Sequence, residues 1–254
     1  MIRIEGLTKR YGSFWALREL DLHVRRGEVF GFLGPNGAGK TTTMRMLVGL
    51  IRPTSGRLAV AGVDVVADPI RARQIVGYIP DRPYLYEKLT ALEFLAFIGG
   101  IYGVDLEAQR ARAGELLELF GLSEWANELI ESYSHGMKQR LTMAAAVMHR
   151  PQLLVVDEPM VGLDPRGAVL VKNLFRRMVA DGRGTVFLST HTLEVAEELC
   201  DRVAILQHGR VIAQGDLAAI RAQVGEAGDA RLESLFLRLT DGQDVERSLE
   251  EAGL

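Results

Sequence analysis

The stretch Gly34-Pro35-Asn36-Gly37-Ala38-Gly39-Lys40-Thr41-Thr42 constrains this chain more than any other. It fits G-x-x-x-x-G-K-[ST], a loop whose successive backbone N–H groups wrap a chain of phosphates. Glycines permit the positive-φ turns that aim those groups inward, and a side chain in their place is expected to block the phosphate. Lys40 supplies a point charge for the β- and γ-phosphates, and the Thr41 hydroxyl stands where a Mg²⁺ ligand is needed. Residues 29–33 ahead of the loop read as a buried strand. Residues 42–50 behind it read as a helix whose N-terminal dipole faces the anion. The alternative is a Gly-rich turn with an incidental lysine. Lysine is scarce here, five of the 30 basic residues, which weakens that alternative.

The remaining pattern is that of an α/β protein. With 254 residues, 48% of them hydrophobic, the chain has material for one large α/β domain or a domain with an appendage. Residues 2–5 and the alternating residues 20–24 suggest a half-exposed antiparallel pair, and residues 58–62 another edge hairpin. Residues 75–79 form a short buried strand ending at Pro80. From residue 84 to 150 the character becomes helical. Thr90-Ala91-Leu92-Glu93 is a capping box, with Leu89 placed to staple onto Phe94. Further helices are expected over 106–120, stopped by Gly121, and over 137–149, ended by Pro151. This block reads as an inserted subdomain. Strand and helix then alternate again: a strand over 153–156, a helix from Asp164-Pro165 to about residue 180, a strand over 185–188, and a helix to Cys200. A strand over 203–206 and a hairpin turn at Gly209-Arg210 follow. Beyond Gly215 the pattern weakens into a linker at 225–229 and a helical segment at 231–239.

Three further segments carry chemistry. The apolar strand ending in Asp157-Glu158 places two carboxylates at the C-terminal sheet edge, where the phosphate loop also lies. Asp157 is expected to hold the Mg²⁺ shell, and Glu158 to orient or deprotonate an attacking water, a role worth roughly 10²–10⁴ in rate. His191 ends a second buried strand at the same edge. Its two ring nitrogens suit it to bridge a phosphate and a water. Ser134, in Tyr133-Ser134-His135-Gly136-Met137-Lys138-Gln139-Arg140, is an N-cap before a helix with free N–H groups, a second anion site. A plain capped helix is the alternative there.

Composition narrows the class. A net charge of −3 provides no basic field for general nucleic-acid binding. One cysteine, Cys200, allows no intrachain disulfide and suits a reducing compartment. The first residues read as a strand rather than a signal peptide, and no apolar run approaches the roughly 18 residues of a membrane span.

Taken together, these segments resemble the ATP-binding cassette ATPases, the nucleotide-binding subunits of ABC transporters. The resemblance covers residues 1–217 with every motif in family order. Gly34 to Thr42 match Walker A, and Leu153 to Glu158 match Walker B with its catalytic glutamate. Tyr11 matches the aromatic residue that stacks on adenine, Val161-Gly162-Leu163-Asp164 the D-loop, and His191 the switch histidine. Tyr133 to Met137 match the signature, usually Leu-Ser-Gly-Gly-Gln, with His135 in place of the first glycine and Met137 in place of the glutamine. Ser134 and Gly136, the residues expected nearest the γ-phosphate, remain. Asp81 stands where the family usually has a glutamine that contacts Mg²⁺ and water. Aspartate is shorter, anionic and has no N–H donor. These variants resemble those of ABC-2-type exporters.

The resemblance implies a P-loop NTPase core of the RecA-like kind: a mostly parallel sheet, an N-terminal antiparallel β subdomain and an inserted helical subdomain near 84–150. Residues 218–254 are then a C-terminal helical extension. It implies ATP and Mg²⁺ as ligands, and catalytic roles for Lys40, Glu158 and His191. The expected nucleotide contacts are Tyr11, Gly34, Pro35, Asn36, Gly37, Ala38, Gly39, Lys40, Thr41 and Thr42. Thr41, Asp157 and Asp81 are the expected metal contacts. Ser134 and Gly136 are expected to act in trans, on the ATP of a second cassette subunit, identical or not. A transmembrane permease subunit is the implied second partner, holding the chain at the cytoplasmic face of a membrane. Nucleic acid is not an expected partner. Tyr84 and Tyr86 are either aromatic anchors for a permease helix or core residues. A soluble cassette ATPase acting on ribosomes or DNA is the competing reading. Such proteins usually carry two cassettes or a long coiled coil, and this chain has one cassette and a short insert. A P-loop kinase or GTPase would leave the signature and His191 unexplained.

Overall fold

The apolar and the alternating segments sort into two different sheets. The computed structural model describes residues 1–182, 184–224 and 232–240. The chain runs β1 (Ile2–Tyr11), β2 (Phe14–Val24), β3 (Val29–Leu33), α1 (Lys40–Leu47), β4 (Ser55–Val60), β5 (Val63–Asp64), α2 (Pro69–Gln74) and β6 (Val76–Ile79). Three helices follow, α3 (Ala91–Ile101), α4 (Leu106–Leu119) and α5 (His135–Ala146). The remainder is β7 (Leu153–Asp157), α6 (Pro165–Val179), β8 (Thr185–Thr190), α7 (Leu193–Leu199), β9 (Arg202–Gln207), β10 (Arg210–Gly215), α8 (Leu217–Val224) and α9 (Leu232–Leu239).

Strands β2-β1-β4-β5 form an antiparallel sheet, and β10-β9-β3-β8-β7-β6 a second sheet that is parallel except for β10. In the parallel sheet β3, β7 and β8 are buried throughout, as continuous apolar runs demand when both faces are covered. Alternate residues serve different cores. Leu154, Val156, Val186 and Leu188 pack with α3, α4 and α5. Leu153, Val155 and Phe187 face the antiparallel sheet and α1. The helical block lies between β6 and β7, which are hydrogen-bonded neighbours, so it is an elaborated crossover inserted in the sheet. This is the expected P-loop NTPase architecture.

Local signals account for most elements. Thr90 and Glu93 complete the capping box of α3, and Asp164 caps α6 with Pro165 in its first turn. Other boundaries move. Helix α1 starts at Lys40 and gives way at Val48 and Gly49, three residues before the expected end. Helix α5 ends at Ala146 rather than at residue 149. Strands β1 and β2 extend well beyond residues 2–5 and 20–24. Register shifts between Ile4 and Leu7, Leu7 and Lys9, and Lys9 and Arg10 break the alternation that marks a strand in sequence. Helix α2 is absent from the sequence reading, although Asp68-Pro69 carries the same cap-and-proline signal as Asp164-Pro165.

At the C-terminal side, Ile220, Leu232 and Leu235 bury themselves with Ala196 of α7 and Ala213 of β10. The backbone N–H of Leu232 donates to the Glu197 carboxylate. The expected linker at 225–229, the helix position at Arg231 and the residues after 240 lie outside the described residues. No helix among the described residues is long and apolar enough to cross a membrane.

The seam between the helical block and the sheet is tight at one glycine. A Cβ on Gly77 of β6 would sit 2.3 Å from the Ala146 carbonyl oxygen, whereas one on Gly100 of α3 would meet nothing within 4 Å. Gly77→Ala is therefore expected to destabilise the protein by about 1–3 kcal/mol. Gly100→Ala should stabilise it by up to about 1 kcal/mol. Urea unfolding of the two variants checks this, and shifts of the same sign would contradict it.

Candidate active site

Strands β3, β8 and β7 are adjacent and parallel, so their C-terminal ends share one sheet edge. Their register pairs Leu33 with Thr190 and Asp157 with Ser189. The phosphate loop leaves β3, the two carboxylates leave β7 and His191 leaves β8. Three separate sequence segments thus meet at one mouth of a cavity of about 1310 Å³.

The loop is held more tightly than its glycine content suggests. Gly39, at φ +112°, is the N-cap of α1, and a Cβ there would lie 2.6 Å from Leu17 Cδ2 and 2.7 Å from the Ala16 carbonyl oxygen. One on Gly34 would lie 2.5 Å from the Leu206 carbonyl oxygen. A side chain at either position would strike the protein itself, a constraint additional to the expected blocking of the phosphate. Pro35, Asn36, Gly37, Gly39, Lys40, Thr41 and Thr42 line the cavity, whereas Gly34 and Ala38 are buried and do not. Lys40 Nζ donates to the Gly34 carbonyl at 2.6 Å and to that of Pro35 at 3.3 Å. Burial lowers its pKa, against the opposing pull of Glu158 and Asp157.

Asp157 is buried, and both its oxygens are bound. The Thr41 hydroxyl donates to Oδ2 at 3.1 Å and the Ser189 hydroxyl to Oδ1 at 2.5 Å. Ser189 is a site residue that the sequence reading did not single out. The available signal was a hydroxyl closing a fully buried strand two positions before His191. The backbone N–H of Glu158 also reaches Ser189, at 3.2 Å from its carbonyl oxygen and 3.3 Å from its Oγ. Glu158 sits at φ +52°, a conformation a non-glycine residue rarely adopts. Its Oε1 lies 2.8 Å from His191 Nδ1, so the two side chains act as a pair. Tyr78 lines the same cavity, and burial, with the Asp157 charge second, pushes its phenol up to about 12.

The other sequence-predicted residues spread around this centre. Tyr11 is half-exposed and lines the cavity, as does the exposed Asp81 in the loop after β6. Tyr84 and Tyr86 are exposed, which removes the core alternative for both. Ser134 caps α5 by accepting from the Met137 N–H at 3.3 Å, but neither it nor Gly136 lines the cavity. The His135 ring instead packs on Gly162, where a Cβ would meet Nε2 at 2.5 Å. The signature and the D-loop therefore touch within one chain. Among the described residues no cluster of three or more His, Cys, Asp or Glu side chains forms a metal cage.

This arrangement can be set beside known proteins. A family model described as ABC transporter matches residues 17–161. The daunorubicin resistance ATP-binding protein DrrA3 of Streptomyces coeruleorubidus is 43% identical over 224 residues, 88% of this chain and 71% of that protein. The chain belongs to the ABC transporter family. It is an ATP-binding, ATP-hydrolysing subunit of that family. The linearmycin resistance ATP-binding protein LnrL of Bacillus subtilis is 39% identical over 89% of this chain and 72% of its own length. A solved ATP-binding subunit of an ABC transporter superposes with a TM-score of 0.89 at 35% identity, covering 94% of this chain and 99% of that one. The ATP-binding cassette MJ0796, solved as a dimer in a post-hydrolysis state with ADP and Pi, superposes with a TM-score of 0.78 at 26% identity, covering 85% and 99%.

In this ABC subunit the Ser189 hydroxyl is the tie between β8 and the buried Asp157. Ser189→Ala leaves one oxygen of a buried carboxylate without its donor, and hydrogen bonds to charged groups are worth about 1.5–3 kcal/mol. A loss of that size is expected in chemical denaturation. A loss below about 0.5 kcal/mol, within the range of an ordinary surface change, would show that the bond does not support the fold.

Proposed function

We propose that residues 1–217 form an ATPase unit, with the helices near 84–150 inserted and residues 218–254 as an extension, that drives a separate membrane-spanning permease subunit. The observation that carries the catalytic reading is the convergence of Lys40, Thr41, Asp157, Glu158 and His191 at one sheet edge, linked by hydrogen bonds of 2.8–3.1 Å where they touch. The loop from Gly34 to Thr42 wraps the phosphates, and Lys40 exchanges its carbonyl partners for the β- and γ-phosphate oxygens. Tyr11 stacks on the adenine from the cavity wall.

Glu158 holds the attacking water and accepts its proton. His191 orients the Glu158 carboxylate through the Nδ1 contact and turns its Nε2 to the γ-phosphate. The buried Asp157 carboxylate and the Thr41 hydroxyl are hard oxygen donors 3.1 Å apart, and that donor set fits Mg²⁺. When bound with ATP, Mg²⁺ neutralises charge that builds on the phosphates. Asp81, in the loop after β6 and lining the same cavity, would supply a third oxygen donor.

A second cassette subunit completes the site, its Ser134 and Gly136 facing this chain's ATP. Two observations support this: neither residue lines the cavity of its own chain, and the solved MJ0796 cassettes, 26% and 27% identical, are dimers. Binding of two ATPs closes the pair and hydrolysis opens it. The permease holds the chain peripherally at the cytoplasmic face of the membrane, through the exposed Tyr84 and Tyr86 beside Asp81. Export is the direction, supported by relatives named for drug resistance and by the Nod factor export ATP-binding protein I of Ralstonia nicotianae, 38% identical over 98% of this chain.

Lys40→Ala should weaken nucleotide binding by at least about tenfold, since a charge-assisted contact to phosphate is worth more than an ordinary hydrogen bond. Equilibrium titration with ATP measures it. Glu158→Gln should lower turnover roughly 10²–10⁴-fold and leave an ATP-bound dimer that elutes early in size-exclusion chromatography. Turnover like that of the unaltered protein would remove Glu158 from the role of base.

A further inference from the structure

We propose that Gly209, at the tip of the β9–β10 hairpin, is a positioning residue for the phosphate loop. Its backbone N–H orients the Ala38-Gly39 peptide so that the Gly39 N–H faces the phosphates before nucleotide arrives. The inference rests on the reading of residues 34–42 as the phosphate-binding loop.

Strands β3 and β9 run parallel, and their last registered pair is Leu33 with Ile205. One residue further the two segments still touch, since a Cβ on Gly34 would lie 2.5 Å from the Leu206 carbonyl oxygen. There β3 gives way to the loop, while β9 continues to Gln207 and reverses into β10 at His208-Gly209. Both turn residues have positive φ, 49° and 77°, as a tight two-residue hairpin requires.

Both hydrogen-bonding groups of the Gly209 backbone reach outside the hairpin. Its carbonyl accepts from the Arg18 N–H of β2 at 2.9 Å, and its N–H donates to the Ala38 carbonyl at 3.1 Å. A Cβ at Gly209 would lie 2.7 Å from the Ala16 carbonyl oxygen and 3.0 Å from Leu17 Cα. The same Ala16 carbonyl and Leu17 also bound Gly39. The hairpin tip, β2 and the end of the phosphate loop therefore meet at one point.

The orientation of one peptide follows. In a trans peptide the carbonyl and the following N–H point to opposite sides of the chain, and no described peptide bond is cis. Gly209 holds the Ala38 carbonyl, so the Gly39 N–H is directed away from the hairpin. That is the cavity side, since Gly39 lines the cavity and the buried Ala38 does not. A glycine at φ +112° could otherwise turn this peptide over at small cost. The ligand then meets a donor already aimed, and binding does not have to order it.

The test compares Gly209→Ala with Gly62→Ala. In the β4–β5 turn Ala61 and Gly62 have equivalent φ values, 49° and 82°, but a Cβ on Gly62 meets nothing within 4 Å. Both variants carry similar backbone strain, and only Gly209→Ala forces the tip away from Ala16 and the loop. Calorimetric titration with ATP and with inorganic tripolyphosphate, below the unfolding transition of each variant, reads the effect. Losing the preorganisation that one hydrogen bond provides predicts that Gly209→Ala binds both ligands roughly two- to twelvefold more weakly. Gly62→Ala should bind both as the unaltered protein does, and an equal loss there would assign the effect to turn strain and overturn the proposal.

A second protein carries glycolate in place of Gly209, introduced by ligation at the native Cys200. The ester removes the N–H and adds no atom, and it decides the outcome if Gly209→Ala does not fold. It should lose affinity for both ligands in the same range. Lower stability with unchanged affinity would make the contact merely structural and overturn the proposal. A loss for ATP alone would place the effect at the base and overturn it too. Lys40→Ala runs in parallel. If it weakens both ligands while the Gly209 variants do not, only the role of Gly209 falls; if it also leaves both unchanged, the reading of residues 34–42 falls with it.

Discussion

Asp157 is the point on which the site depends. A carboxylate taken out of water destabilises the fold by several kcal/mol unless its oxygens are bound. Here one oxygen is bound by Thr41, in the first turn of α1, and the other by Ser189, near the end of β8. Satisfying one buried charge therefore ties the phosphate loop, the carboxylate strand and the histidine strand together. The Glu158 backbone, pinned to Ser189 and held at positive φ, then presents its side chain to His191. Strain at such a residue persists only where its surroundings overdetermine it, and the Ser189 contacts supply that.

The two cores explain why this edge is stiff. Neighbouring residues along β7 and β8 are buried against different partners, the helical block on one face and the antiparallel sheet with α1 on the other. A shift of the sheet edge would disturb both. The loop is confined in the same way, with Gly39 against Ala16 and Leu17 and Gly34 against Leu206. The helical block meets the sheet at Gly77 and carries the N-terminus of α5 away from the cavity. That N-terminus contacts residues 161–164 of its own chain through His135 and Gly162, so the segment expected to face a second subunit is braced within the chain.

The order of motifs was legible in the sequence, because each motif is a local device. A phosphate loop must join a strand to a helix, a capping box must start one, and an apolar run ending in carboxylates must be a buried strand. Where local and long-range requirements part, the reading fails in identifiable ways. The bulges in β1 break its alternation, so only its first residues look like a strand. Helix α5 ends at Ala146, whose carbonyl abuts Gly77, ahead of the stop that Pro151 marks in the sequence. Ser189 looks like an ordinary strand residue until the register places it opposite Asp157.

The sequence by itself determined the ligand chemistry and the fold class. Glycines, a lysine, a hydroxyl and two carboxylates at strand ends have few uses other than holding a triphosphate on a parallel sheet. Tertiary structure decided the pairings: Asp157 with Thr41 and Ser189, Glu158 with His191, and His135 with Gly162. Strand order and register bring together residues more than a hundred positions apart in the chain, such as Thr41 and Asp157. Spacing along a chain carries no such information. Packing two faces of one sheet at once does. The phosphate loop thus stated its ligand on its own, and became a site only when β7 and β8 were laid beside it.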